Sequence, residues 1–304
     1  MKRTLILMLT LALLLPMVLA LSSCSIVKYE LRVGVYDELS EDGTALSGTV
    51  AMLMLSDDGK TVSYLRLDRV ELGAGLTEGK AGLTACTVEG DRDESAWIKD
   101  ARKLEQHAEG KSLDEVLGMS DDEIAALGIS ISPASLRGAI ASAASSPHRK
   151  IMREKGKLDC GVAISVTTSA SWDGSISVAC DIAGVAMRDG IVEGAIIDSW
   201  VPSIIGVTDD TQTLIGASIS TAPSKLALYD SYKMAEVSSI KTEWYAQAQT
   251  FADNAVGKSP AELINMPISM QDDPNQDPAD AVAGCTIKVA DYKAPLITAA
   301  KRAR

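Results

Sequence analysis

Along the chain, apolar residues change period in a fixed order, first alternating as strands and then recurring at helical spacing. Thr49 to Leu55 is an apolar run, and Ile176, Val178, Cys180 and Ile182 alternate with small or polar residues, the pattern of a half-buried strand. Four Asp-Gly pairs punctuate these runs: Asp42-Gly43, Asp58-Gly59, Asp173-Gly174 and Asp189-Gly190. Asp-Gly marks a hairpin because both residues tolerate positive φ. The pattern therefore predicts two three-stranded antiparallel meanders, over about 30–37, 47–55 and 61–68, and over about 160–168, 175–186 and 191–198. After each meander the period becomes helical. Trp97, Ala101, Leu104 and Ala108 make one apolar face, and Trp244, Ala248, Phe251 and Ala255 make another.

Those two helices belong to an internal repeat. Trp97 to Met119 aligns without a gap on Trp244 to Met266 at an offset of 147, with eight of 23 positions identical. Gly110-Lys111-Ser112 and Gly257-Lys258-Ser259 lie inside it. A phosphate-binding loop would need a glycine where the chain has Glu105 and Ala252, so nucleotide binding is excluded there. A glycine ending one helix, followed by the capping boxes Ser112/Glu115 and Ser259/Glu262 for the next, accounts for the shared residues. Further small helices are predicted over Ala134 to Ala144 and Ala290 to Arg302, now at an offset of 156 because the loop Met270 to Ala279 is inserted. Strands followed by helices predict an α+β fold of two tandem repeats, each an antiparallel β-meander covered by helices. The expected division is a leader over 1–23, a first unit over 24–146, a polar linker over 147–158 and a second unit over 159–304. The second unit carries an extra, partly extended segment, Thr211 to Asp230.

The leader changes the picture of location. Lys2 and Arg3 precede the uncharged run Thr4 to Leu21, which closes on Leu21-Ser22-Ser23-Cys24. A basic start, an apolar run and small residues before a cysteine predict a bacterial lipoprotein signal, with Cys24 as the lipidated anchor on the extracytoplasmic face of the cell membrane. Net charge is −12, or −14 once Lys2 and Arg3 leave with the signal, so nucleic acid is not an expected partner. The two histidines, His107 and His148, leave little material for a triad or zinc cluster. Asp272, Asp273, Asp277 and Asp280 lack the alternation and glycine of a calcium loop and are read as a solvated acidic loop; no metal is predicted. Cys86, Cys160, Cys180 and Cys285 could pair in an oxidising location or stay as buried thiols, and their spacing does not choose. One Phe and four Trp leave few stacking platforms for carbohydrate. No activated nucleophile with a positioned base is visible, so autonomous catalysis is not expected.

Near the end of the chain, Asp280-Ala281-Val282-Ala283-Gly284-Cys285-Thr286, followed by an alanine-rich helix, resembles the flavin-attachment motif of FMN-binding domains. The wider second half, including Tyr232-Lys233-Met234 and Glu243-Trp244, resembles repeat-bearing lipoproteins of Gram-positive bacteria. The resemblance implies FMN as cofactor, attached through a phosphoester to Thr286, with Asp280 as the upstream acid and Gly284 as the close-approach glycine. Thr286 would then stand accessible at the start of the last helix. Ala283, Cys285 and Lys288 depart from the motif, and in the first unit Ser130 aligns with Thr286 while Ile124 aligns with Asp280, so that copy is degenerate. Two readings follow: a flavin-binding or electron-transfer lipoprotein with a redox partner, or a non-catalytic lipoprotein that binds a small ligand or protein partner.

Overall fold

The computed structural model describes residues 26–56, 59–77, 80–87, 96–170, 176–208, 214–266 and 282–304. The leader, with Cys24, lies outside the described residues. The fold is α+β with antiparallel sheets. Strands β1 (Ile26–Leu39), β2 (Ala45–Leu55), β3 (Val62–Thr77) and β4 (Lys80–Thr87) lead into helices α1 (Ala96–Ala108), α2 (Leu113–Leu117), α3 (Asp121–Ala126) and α4 (Pro133–Ser145). Strands β5 (Lys150–Lys155), β6 (Asp159–Ala170), β7 (Ile176–Arg188), β8 (Ile191–Trp200), β9 (Ser203–Thr208) and β10 (Leu214–Ser220) follow. The chain then runs through α5 (Lys225–Leu228), α6 (Met234–Val237), α7 (Trp244–Asp253), α8 (Pro260–Ile264) and α9 (Val289–Arg302).

Hairpins form where Asp42-Gly43 and Asp189-Gly190 place them, while Asp58 and the pair Asp173-Gly174 lie outside the described residues. At the first, the Asp42 carboxylate accepts hydrogen bonds from the Ser40 hydroxyl (2.6 Å) and the Thr44 N–H (3.1 Å), while Gly43 takes φ +69°. Asp189 and Gly190 both have positive φ, as the tight turn from β7 to β8 requires. The first sheet has the order β4-β3-β2-β1-β5. Its last member corrects the linker reading: Lys150–Lys155 is a strand that pairs antiparallel with β1, from Ile26 opposite Lys155 to Leu31 opposite Lys150. In the second sheet β7 lies between β6 and β8, and its Ile176–Ser177 end also pairs with β9, beyond which lies β10. Among its described residues the extra segment is extended over β10, and from Lys225 it turns helical.

Alternation along β2 shows how the layers stack. Val50, Met52 and Met54 join one buried cluster that holds residues of both sheets, whereas Ala51, Leu53 and Leu55 join a second cluster with Trp97, Leu104, Leu136 and Ile140. The sheets pack face to face, with Gly184 against Met52 and Val33 and Gly48 against Trp200. Helices α1 and α4 cover the outer face of the first sheet; α7 and α9 cover the second. Trp97 and Trp244 are both buried between helix and sheet. The two capping boxes are present at Ser112/Glu115 and Ser259/Glu262, and a third stands at Ser120/Glu123. The Gly-Lys-Ser turns have a further task. Gly110 N–H donates to the Val62 carbonyl (2.7 Å) and Val62 N–H to the Lys111 carbonyl (2.9 Å); Gly257, Lys258 and Val192 repeat the clasp at 2.8 and 2.9 Å. Backbone, with no phosphate, satisfies these groups.

Candidate functional site

The turn that carries the flavin-like motif is built the same way in both halves. Gly128 and Gly284 take φ +69° and +81°, the left-handed conformation that glycine adopts without a Cβ penalty. Two residues later, Ser130 N–H and hydroxyl both donate to Oδ2 of Asp100, at 2.7 and 2.6 Å. Thr286 N–H and hydroxyl likewise donate to Oε1 of Gln247, at 2.7 and 2.9 Å. Asp100 and Gln247 are each the third residue after the helix-opening tryptophan, so in both halves the motif is tied to the first turn of the covering helix. Hydrogen bonds from Lys103 and then Ser130 hold the Asp100 carboxyl down at about 2. Gln247 is fully buried, and its amide nitrogen donates to the Thr242 carbonyl (2.9 Å) and to Ser238 Oγ (3.2 Å).

This arrangement does not fit a flavin phosphoester. Thr286 is half-buried three residues before α9 begins, and its N–H and hydroxyl both serve Gln247. A phosphoester would abolish the O–H donor and place a phosphodiester monoanion beside the buried amide oxygen of Gln247, an unfavourable pairing of acceptors. Among the described residues a Cβ on Gly284 would meet only Thr250 Cγ2, at 3.9 Å, and its φ of +81° is what the turn requires. Asp280 and the acidic loop lie outside the described residues. In the first half the N-terminus of α4 already has an anion: the Ser132 and Ser135 hydroxyls both donate to the Glu38 carboxylate.

Sequence reasoning missed a pocket at this first-half helix terminus. A solvent-open cleft of about 350 Å³ lies between the polar end of β1–β3 and the starts of α1 and α4. Glu38, Thr49, Arg69, Trp97, Ser130 and Ser135 are among its walls. Thr49 lies directly opposite Arg69 across β2 and β3. The Arg69 guanidinium stands 5.5 Å from the centre of the Trp97 ring and pairs through Nη1 with Glu71 at 2.9 Å. Such a cation over an indole is held by the ring quadrupole.

In the second half the corresponding place is filled by the chain itself. Arg69 and Ser199 lie equally far past the clasped residues Val62 and Val192, and Asp181 lies opposite Ser199 as Thr49 does opposite Arg69. At the motif offset, Asp291 corresponds to Ser135. Over Trp244 stands Lys225, whose Nζ lies 5.2 Å from the ring centre and 3.3 Å from the Tyr292 hydroxyl. Lys225 comes from α5, in the segment that only the second half possesses. Asp198 anchors that helix, its Oδ1 accepting from Leu226 N–H (2.9 Å) and Ser199 N–H (2.7 Å). Burial pushes the carboxyls of Asp181 and Asp198 up to about 6 and pushes the Lys225 amine down, while Asp181, Asp198 and Asp291 pull the amine back up. A signal for these groups was in the sequence: Asp181 and Asp198 each follow or precede apolar runs within their strands, and buried carboxylates stand there only with a partner.

Cys160, Cys180 and Cys285 are buried; burial pushes the Cys160 thiol up to about 12 and Cys180 higher still. The side chain of Cys86 lies outside the described residues. His148 is half-buried against Tyr245 and bonded to Gln249 at 3.0 Å. Among the described residues no group of His, Cys, Asp or Glu could hold a metal ion, and no helix is long and apolar enough to cross a membrane. No family model, curated protein or solved structure matches the chain.

Proposed function

We propose that this chain is a lipid-anchored extracytoplasmic protein that binds a small polar ligand without transforming it, in the pocket over Trp97. One observation carries the reading: two corresponding places exist, and the one over Trp244 is filled by Lys225 whereas the one over Trp97 opens as a 350 Å³ pocket. A volume near 350 Å³ lies at the lower end for small-molecule sites. The halves are read as two copies of one FMN-binding-domain-like unit, supported by the matching glycine turns, hydroxyl clasps and Gly-Lys grips. The flavin role has less support than the binding role, because Thr286 is engaged by Gln247. Anchoring rests on Cys24 and the leader ahead of it.

A thermal-shift screen of small polar metabolites tests the site. Ser47, on the pocket wall, is replaced by Trp to fill the space. At least one compound should stabilise the wild type and leave Ser47→Trp unmoved, since a ligand that binds only the folded state at a hundred times its Kd adds about 2.7 kcal/mol. A screen in which no compound distinguishes the two proteins would overturn the reading. Intact mass of the membrane-extracted protein, expected to show lipid at Cys24 and no flavin, tests the anchor and the cofactor together.

A further inference from the structure

The ligand class can be read from the difference between the filled and the open place, and this step rests on the binding role proposed above. In the second half the occupant is part of a peptide: a lysine side chain with its own backbone, standing over a tryptophan and facing Asp181, Asp198 and Asp291. The volume made by this scaffold thus accommodates an amino-acid residue. In the first half the charges are redistributed: Asp68 keeps the place of Asp198 and Asp100 that of Gln247, while the residues beneath the tryptophan change. Thr49 stands where Asp181 does, Ser135 where Asp291 does, and Arg69 replaces Ser199, so two of the carboxylates that suit an amine are gone and a guanidinium occupies the floor. Arg69 already provides the cation over Trp97. Among the described residues only its Nη1 is paired, with Glu71, and a guanidinium offers five donors in a planar fork. The opposite wall holds Glu38, whose carboxylate takes the Ser132 and Ser135 hydroxyls.

We infer that the pocket over Trp97 takes a free amino acid or short peptide as its zwitterion, with the ligand carboxylate on the Arg69 fork and its ammonium group towards Glu38. A fork-shaped donor set prefers a planar carboxylate to a point anion. Glu38 selects against inorganic phosphate and dicarboxylates, because it adds a negative charge to the helix terminus that would otherwise attract them. Binding at this place is a contact between complementary charges and includes no covalent step.

Three probes built on one dipeptide separate the contributions: L-alanyl-L-alanine, its N-acetyl derivative and its C-terminal amide. Each is titrated into the 15N-labelled protein and followed at the Trp97 indole N–H, assigned by comparison with Trp97→Phe. The free dipeptide should move this resonance and bind at least about tenfold more tightly than either blocked form, roughly the worth of one charge-assisted hydrogen bond. Arg69→Gln should abolish discrimination against the amide, and Glu38→Gln discrimination against the N-acetyl form. Equal binding of all three probes, or a dipeptide that leaves Trp97 unmoved while another compound from the screen moves it, would overturn the zwitterion assignment and leave the binding role standing. If no compound of any class moves Trp97, the binding role itself falls and this inference with it.

Discussion

Replacing Gly34 by alanine should lift helix α4 from the first sheet. Gly34 sits in β1 beneath Ala143, and a Cβ built on it would lie 2.6 Å from Ala143 Cα and closer still to Ala143 N and Ser142 C. These are backbone atoms of a helix, so no side chain can rotate away. Carbon atoms rest at about 3.5 to 4 Å, and the helix must therefore withdraw by roughly 1 Å. That withdrawal is shared by Leu136, Ala139, Ile140 and Ala143, all fully buried on the same face, and a gap of this size forfeits a quarter to a half of each contact. Overpacking of a close-packed core costs about 1 to 3 kcal/mol, and the absence of a yielding partner places Gly34→Ala at about 3. At this chain length the melting midpoint should fall by about 5 °C in a calorimetric scan. Because the obstruction is backbone, adding Ala143→Gly should restore nothing. A Gly34→Ala protein that melts within about 1 °C of wild type, or a rescue by Ala143→Gly, would refute the close approach. Gly161 stands under α9 in the same relation, with its would-be Cβ 2.9 Å from Ala303 N and closer to the Ala299 carbonyl oxygen.

Other outcomes follow from the polar groups. Asp198 is fully buried with its carboxyl raised from 3.8 to about 6, so the folded state holds the proton more tightly than the unfolded chain does; its contribution is complete below about pH 4 and is lost as pH rises through about 6. Asp198→Asn retains the acceptor for Leu226 N–H and should flatten that fall, gaining on the order of 2 kcal/mol at pH 8 by urea unfolding; an unchanged pH profile would count against a raised carboxyl. Ser259→Ala removes the oxygen that caps α8 and should cost about 1 kcal/mol, whereas Ser259→Asp should cost almost nothing; equal losses would mean that the cap is not what the serine supplies. Trp244→Ala, which vacates a fully buried site under Lys225, should cost about 3 to 5 kcal/mol in the same assay, and a mutant as stable as the wild type would show that the ring is not packed.

Signals with a short physical range were legible in the sequence. The meanders expected over 30–37, 47–55 and 61–68 and over 160–168, 175–186 and 191–198 coincide with β1 to β3 and β6 to β8, because alternation and Asp-Gly turns act between neighbours. The helix stripes and the Ser/Glu capping boxes are equally local, and Trp97 and Trp244 were placed correctly as core residues from helical spacing alone. Tertiary structure decided what depends on partners distant in the chain. A polar stretch, Lys150–Lys155, became a strand because β1 offered an unpaired edge, and backbone hydrogen bonds do not require an apolar sequence. The motif implies an accessible Thr286 if flavin is attached there, and no spacing along the chain records that Gln247, 39 residues earlier, accepts from both its N–H and its hydroxyl. The pocket was invisible for the same reason: Glu38, Arg69, Trp97 and Ser135 come from four elements, and no spacing along the chain records that they meet. Whether such a place is open or filled turned on one inserted segment, whose Lys225 finds a tryptophan to stand on and three carboxylates to face only after both sheets and their covering helices are in position.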